Sequence, residues 1–147
     1  MLRASRVLGA AAVTVLLSAG CREDPTGPGP GEEFTLEPDE RVLLPTAEAY
    51  VRFLRVPQDS RCPLQVVCVW LGDAEVVLEL APVHADAAEH ALHTNGESGP
   101  RSVVLGRHEL ALVRLDPWPE VPGGVSPENY RAVLLLQERL QTTSAPD

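Results

Sequence analysis

Four histidines and three cysteines carry most of the chemistry that this 147-residue sequence offers. His84, His90 and His93 lie within ten residues of one another, with Asp86 and Glu89 between them. Neutral imidazole is a ligand for zinc and copper, and on a helix His90 and His93 share a face and form a metal site with His84. On a strand their odd separation sends them to opposite faces and the site dissolves. On a solvated helix the same residues pair at i,i+4 instead, Asp86 with His90 and Glu89 with His93. The segment GESGP, Gly96 to Pro100, approaches a nucleophile elbow, but Pro100 stands where the final glycine belongs, so Ser98 reads as a turn residue. Carboxylates are abundant, yet none falls in an acid–base pattern, and no phosphate loop or cofactor fingerprint is present. These observations lead us to expect no enzyme and no cofactor, with a metal-binding protein using His84, His90 and His93 as the alternative.

The elements that position these side chains read mostly as strands. In AEVVLEL, Val76, Leu78 and Leu80 alternate with Glu75, Val77 and Glu79, the period of a half-buried strand. In HELALVRL, Leu110 and Leu112 share a face, and Leu115 rejoins it only through a bulge at Val113–Arg114. In YVRFLRV, Val51 and Phe53 share a face and the phase slips before Val56. YRAVLLLQ is apolar on both faces near its end, which predicts a central strand. Turn signals stand at Gly72–Asp73, Asn95–Gly96 and Gly106–Arg107, and Asn-Gly is the strongest of these for a type I′ hairpin. One segment is ambiguous. Ala85 to Leu92 has helical propensity for about two turns, or is a loop leading into a short strand at His90–Thr94. Seven to nine short strands with little helix, spread over residues 34–140, predict an all-β fold. We expect an immunoglobulin-like β-sandwich, with a small β-barrel as the alternative.

The chain opens with two arginines and no acid in its first six residues, then an apolar run from Val7 to Leu17, then Ser18, Ala19, Gly20 and Cys21. A positive flank, a short apolar core and a small-residue cleavage site make a secretory signal. The core falls short of the roughly 17 to 25 apolar residues that a membrane-spanning helix needs. LLSAGC resembles the lipobox of bacterial lipoproteins, with Ser18 standing where leucine is usual. That resemblance implies a signal peptide over residues 1–20 and a lipid on the sulfur of Cys21. Arg22 after the cysteine implies, by the same resemblance, the outer membrane rather than the inner. Residues 22–33, REDPTGPGPGEE, alternate proline and glycine among charges, so residues 21–33 read as a lipidated cysteine and its tether. The tail, residues 141–147, reads as disordered.

With Cys21 assigned to lipid, Cys62 and Cys68 remain as an even pair in an oxidising compartment. A straight strand would hold them about 20 Å apart, whereas a disulfide needs Cα atoms within roughly 4.4–6.8 Å, so the segment must double back. Pro63 suits that bend. A metal or redox pair is the rival reading, although there is no C-x-x-C and no second cysteine pair to complete a zinc site. Without residues 1–20 the chain keeps ten basic residues, all arginine, against twenty-one acidic ones, a formal charge of −11. An acidic surface repels phosphate backbones, which excludes nucleic acid as a partner.

DSRCPLQVVCVWLGDA, Asp59 to Ala74, resembles a group of small exported bacterial proteins that carry a DSRCP…CVWxGxA motif; the resemblance supports export, the disulfide and the all-β fold, and implies no activity. Within the motif Asp59 and Arg61 flank the disulfide and are expected to fix the loop by an ion pair or hydrogen bonds, while Trp70 is expected in the core. Trp118, held between Pro117 and Pro119, is expected either to cap the open end of the core or to meet a protein or envelope partner.

Overall fold

Side-chain alternation becomes register in the folded chain. A computed structural model describes residues 27–139; the signal segment, Cys21 and the tail from 140 onward lie outside them. Val76, Leu78 and Leu80 are buried on one face of strand β4 (Ala74–Pro82), as the period of two requires. Val77 on the opposite face is buried as well, because β4 is an interior strand. Seven further strands complete the domain: β1 (Glu33–Leu36), β2 (Arg41–Leu44), β3 (Ala49–Asp59), β5 (Ala88–His93), β6 (Ser102–Leu105), β7 (His108–Asp116) and β8 (Arg131–Glu138).

They form two four-stranded antiparallel sheets, ordered β1-β8-β7-β6 and β2-β3-β4-β5, neither closed into a barrel. The fold is therefore an all-β sandwich, with eight strands among the described residues, and the barrel alternative is excluded. Its likeness to an immunoglobulin domain is one of architecture. In that domain strands from both halves of the chain mix within each sheet. Here each sheet is a run of consecutive neighbours, with β1 added beside β8, and the chain crosses between sheets at β1–β2 and β5–β6. Leu36, Phe53, Leu78, Leu110, Leu112 and Leu134 meet in the single core between the sheets. Each such side chain contributes about 1.5–3 kcal/mol on burial.

The irregularities fall where the apolar phase slips. The β7–β8 register shifts between Leu112 and Arg114, which returns Leu115 to the core. The β3–β4 register shifts between Phe53 and Arg55 and again before Gln58. Strand β8 is interior, between β1 and β7.

Of the two alternatives open for Ala85–Leu92 the loop leading into a short strand forms, starting two residues earlier than His90, and one expectation, the Asn95–Gly96 hairpin, is corrected. No helix forms over Ala85–Leu92: Ala88–His93 is strand β5, because the edge of β4 offers six residues a continuous ladder, Leu80↔Ala88 to Glu75↔His93. Alanine's modest helical preference is outweighed by that pairing and by burial of Leu92. Asn95–Gly96 does not close a hairpin. It lies in the β5–β6 crossover between sheets, and Gly96 is not among the positive-φ residues a type I′ turn needs. The tight hairpin is β6–β7, where Gly106–Arg107 links Leu105 to its partner His108 and Gly106 alone takes φ +60°.

Strand direction sorts the connections onto two poles. The N-terminal segment, the 3₁₀ turn Pro45–Ala47, the β4–β5 loop and Gly106–Arg107 lie at one pole. Gly27 already packs against Leu43 and Pro45 there, and the Gly31 N–H donates to the Leu136 carbonyl at 2.7 Å. The β3–β4, β5–β6 and β7–β8 loops lie at the other pole, roughly 30 Å away at about 3.3 Å per strand residue.

Candidate functional site

The pole opposite the N-terminal segment is organised by one buried ion pair. Asp59 ends β3, and two residues later the Arg61 side chain folds back on it. The Arg61 Nε donates to Asp59 Oδ1 at 2.9 Å and Nη2 to Oδ2 at 2.6 Å, a two-pronged pair in which both side chains are almost wholly buried. The remaining guanidinium donors reach across to the β7–β8 connection, Nη1 to the Leu115 carbonyl at 2.6 Å and Nη2 to the Pro117 carbonyl at 3.0 Å. The Tyr130 hydroxyl, at the entry to β8, donates to Asp59 Oδ2 at 3.1 Å. Burial by itself would push the Asp59 carboxyl up. The hydrogen bonds and charge of Arg61, with the Tyr130 hydroxyl, outweigh it and hold the group below its ordinary value. Tyr130 is pushed up, first by burial and then by the Asp59 charge.

This pair carries the Cys62–Cys68 loop. The two cysteines are disulfide-bonded with Cα atoms 6.0 Å apart, so the segment doubles back as their separation demands. The loop is stitched to its neighbours by main-chain bonds: Cys62 N–H to the Leu71 carbonyl, Leu64 N–H to Pro119, and Gln65 N–H to Glu120. Trp118 completes the clamp. Its indole N–H donates to the Cys62 carbonyl at 2.7 Å, and the Arg61 guanidinium lies 5.0 Å from the ring centroid. The side chains that the loop presents are apolar and face solvent. Val67 is fully exposed, Trp70 is 76% exposed, and Leu64, Val69 and Leu71 are mostly exposed. Trp70 is thus corrected from core to surface. The apolar run Val66–Leu71 resembles a buried strand but joins neither sheet. Replacing both Cys62 and Cys68 by serine is expected to lower unfolding free energy by about 2 kcal/mol, the loop-closure value for so short a ring. Denaturant titration with and without reductant checks this, since the reduced native chain and the double variant should coincide.

Beside the loop, Asp73 gathers the β5–β6 crossover. Its Oδ2 lies 2.6 Å from His93 Nδ1, while Oδ1 accepts the Thr94 hydroxyl at 3.0 Å and the Asn95 N–H at 2.8 Å. Burial again works to raise this carboxyl, and the His93, Asn95 and Thr94 hydrogen bonds overcome it and leave it lowered. An Asp–His pair of this kind orients an imidazole for base catalysis when Nε2 faces a nucleophile. Here Nε2 stands against Gly99, where even a Cβ would lie 2.5 Å away. No hydroxyl is bonded to it among the described residues, so the pair braces the crossover. Trp70, Leu71, Asp73, Asn95, Glu97 and Ser98 border an open hollow of about 410 Å³.

The histidine cluster does not assemble. His84 is in the β4–β5 loop at one pole and His93 ends β5 at the other. His90 pairs with Leu78 on the core-facing side of β5, whereas His93 pairs with Glu75 on the outer side. Glu89 bonds Arg55, and His93 bonds Asp73, in place of the i,i+4 pairs of a helix. No three histidine, cysteine or acidic side chains converge on a metal position among the described residues. Asp59, Arg61 and Trp118 are brought together, whereas the part of Tyr130, 71 residues from Asp59, carries no local signal. No family model, no curated protein and no solved structure matches this chain.

Proposed function

We propose that this protein is a lipid-anchored component of a bacterial cell envelope, held through Cys21, that works as a non-enzymatic binding module. Its contact surface is the Cys62–Cys68 loop together with the Trp118 loop. The observation that carries this reading is the exposure of Leu64, Val67, Val69, Trp70 and Leu71 on a loop pinned by a disulfide and a buried ion pair. Isolated exposed aliphatics are ordinary, but a contiguous, pre-organised apolar set marks an interaction site. The anchor rests on the lipobox-like LLSAGC and the signal-type segment before it. Two or three acyl chains at about 0.8 kcal/mol per buried methylene would hold the domain stably, and Arg22 favours the outer membrane. No helix among the described residues is long and apolar enough to cross a membrane.

The anchor is tested by intact mass of the membrane-extracted protein and by fractionation of Cys21→Ser. The expected mass is residues 21–147 plus acyl groups, and the variant should leave the membrane fraction. Membrane retention of Cys21→Ser equal to that of the native chain would remove the anchor from this reading.

A further inference from the structure

We infer that the loop's occupant is another protein, one presenting an apolar pocket rimmed by arginine or lysine. The inference rests on the binding-module reading above and names the partner's chemistry. Area is the first argument. Leu64, Val67, Val69, Trp70 and Leu71, with the partly exposed Trp118 and Val121 beside them, leave on the order of 800 Å² of side chain open to solvent. The largest apolar patch on a typical monomer is roughly 300–600 Å², and one side of a standard protein interface is about 800 Å². Shape is the second. Val67 stands fully exposed on a loop closed at its base by the disulfide, so this surface is a knob and its complement is a pocket. The main chain adds donors to it, because the N–H groups of Val67, Cys68, Val69 and Trp70 have no protein acceptor among the described residues.

Charge then separates the possible occupants. The stretch from Cys62 to Gly72 holds no charged residue, and Arg61 is neutralised by Asp59. Around it stand Glu97, which borders the hollow with Trp70 and Leu71, and Glu120, whose carbonyl binds the Gln65 N–H. Neither carboxylate forms an ion pair among the described residues. A second copy would set the same two carboxylates against themselves, and an anionic lipid surface would be repelled in the same way. A basic rim complements them. Saccharide is a poor fit to a knob whose tip is aliphatic and whose only polar side chain between the cysteines is Gln65. The chain docks at Gly27 on the far pole, about 30 Å from the loop, so the loop and the docked N-terminal segment lie at opposite ends of the domain.

A photoreactive benzoylphenylalanine placed at Val67 of the full chain, in the cells that make it, tests the inference. The expected product is an adduct with a different protein. That protein, purified, should bind the native chain with a Kd that rises at least fiftyfold for Trp70→Ser, while the variant's melting temperature stays within about two degrees of native. The Kd should also rise about tenfold between 50 and 300 mM salt, and Glu97→Gln with Glu120→Gln should flatten that dependence. An adduct only with a second copy, an adduct only with lipid, or no adduct overturns the inference. So does a captured protein whose binding ignores salt or Trp70→Ser. The binding-module reading stands or falls separately. A loop-dependent homodimer would keep it and sink the basic-rimmed partner, whereas a native assembly unchanged by Trp70→Ser would sink both.

Discussion

Arg61→Ala is expected to lower unfolding free energy by about 3–5 kcal/mol, because it leaves the Asp59 carboxylate buried without its cation. The change also strips donors from the Leu115 and Pro117 carbonyls and removes the cation beside the Trp118 ring. For a domain of this size the melting temperature should drop by roughly 15–25 °C. The deficit carries a pH signature with a definite sign. In the native chain Asp59 is held below its unfolded value, so its contribution is complete above about pH 4 and is lost as pH falls through the lowered folded value. In the variant the buried carboxyl is raised instead and is tolerated only when protonated. The gap between native and variant should therefore be widest near neutral pH and narrow as pH falls, first as the variant's raised carboxyl takes up its proton and then, below about 4, as the native chain loses its own contribution. Asp73 keeps its own lowered value in both chains, so some acid dependence persists in the variant. A double change to Asp59→Leu with Arg61→Met should recover much of the loss, because the unpaired charge is gone. Equal melting curves for the native chain and Arg61→Ala would show that this pole is not built on the ion pair. Chemical denaturation at pH 7 and pH 3.5 supplies the comparison.

Gly72→Ala, a single added methyl, is expected to cost about 2–4 kcal/mol. Gly72 takes φ +71°, and a Cβ there would lie 1.9 Å from the Ser60 carbonyl oxygen. That oxygen belongs to backbone with no room to give. The Ser60 N–H donates to the Asp73 carbonyl at 2.7 Å, and the Asp73 N–H donates to the Ser60 hydroxyl. The methyl must part the two ends of the disulfide loop just where they join β3 and β4. Gly106→Ala is the matched control: its φ of +60° imposes conformational strain, but nothing stands within 4 Å of the new Cβ. It should cost about 1 kcal/mol. If thermal melts place the two variants together, the close approach of Ser60 and Gly72 is not maintained in solution.

Much of the scaffold was legible from local pattern. The period of two in AEVVLEL, the phase slips in YVRFLRV and HELALVRL, and the doubly apolar YRAVLLLQ correspond to interior strands and their bulges. A pleated strand places side chains by parity, so a break in parity has to appear as a bulge. The cysteine spacing demanded a loop that doubles back, and it does. Ala85–Leu92 was legible only as two alternatives, and the strand prevails because helix propensity is worth tenths of a kcal/mol per residue and an available β4 edge is worth more. Asn95–Gly96 has the composition of a hairpin turn, but a hairpin also needs both flanking strands in one sheet, and β5 and β6 belong to different sheets.

What the sequence determined by itself is whatever depends on near neighbours: strand parity, the bulges, the short disulfide ring, the acidic and lysine-free surface. What only the tertiary structure decided is whatever depends on residues far apart in the chain. An apolar run such as VVCVWL reads the same whether a sheet accepts it or not, and Trp70 turned out exposed because no strand edge reaches it. Tyr130 and Pro117 join Asp59 and Arg61 only because β3 and β7 end, and β8 begins, at the same pole. The antiparallel course of eight strands likewise set the docked N-terminal segment and the apolar loop at opposite ends. Local periodicity encodes which way each side chain faces, but not which strand ends meet.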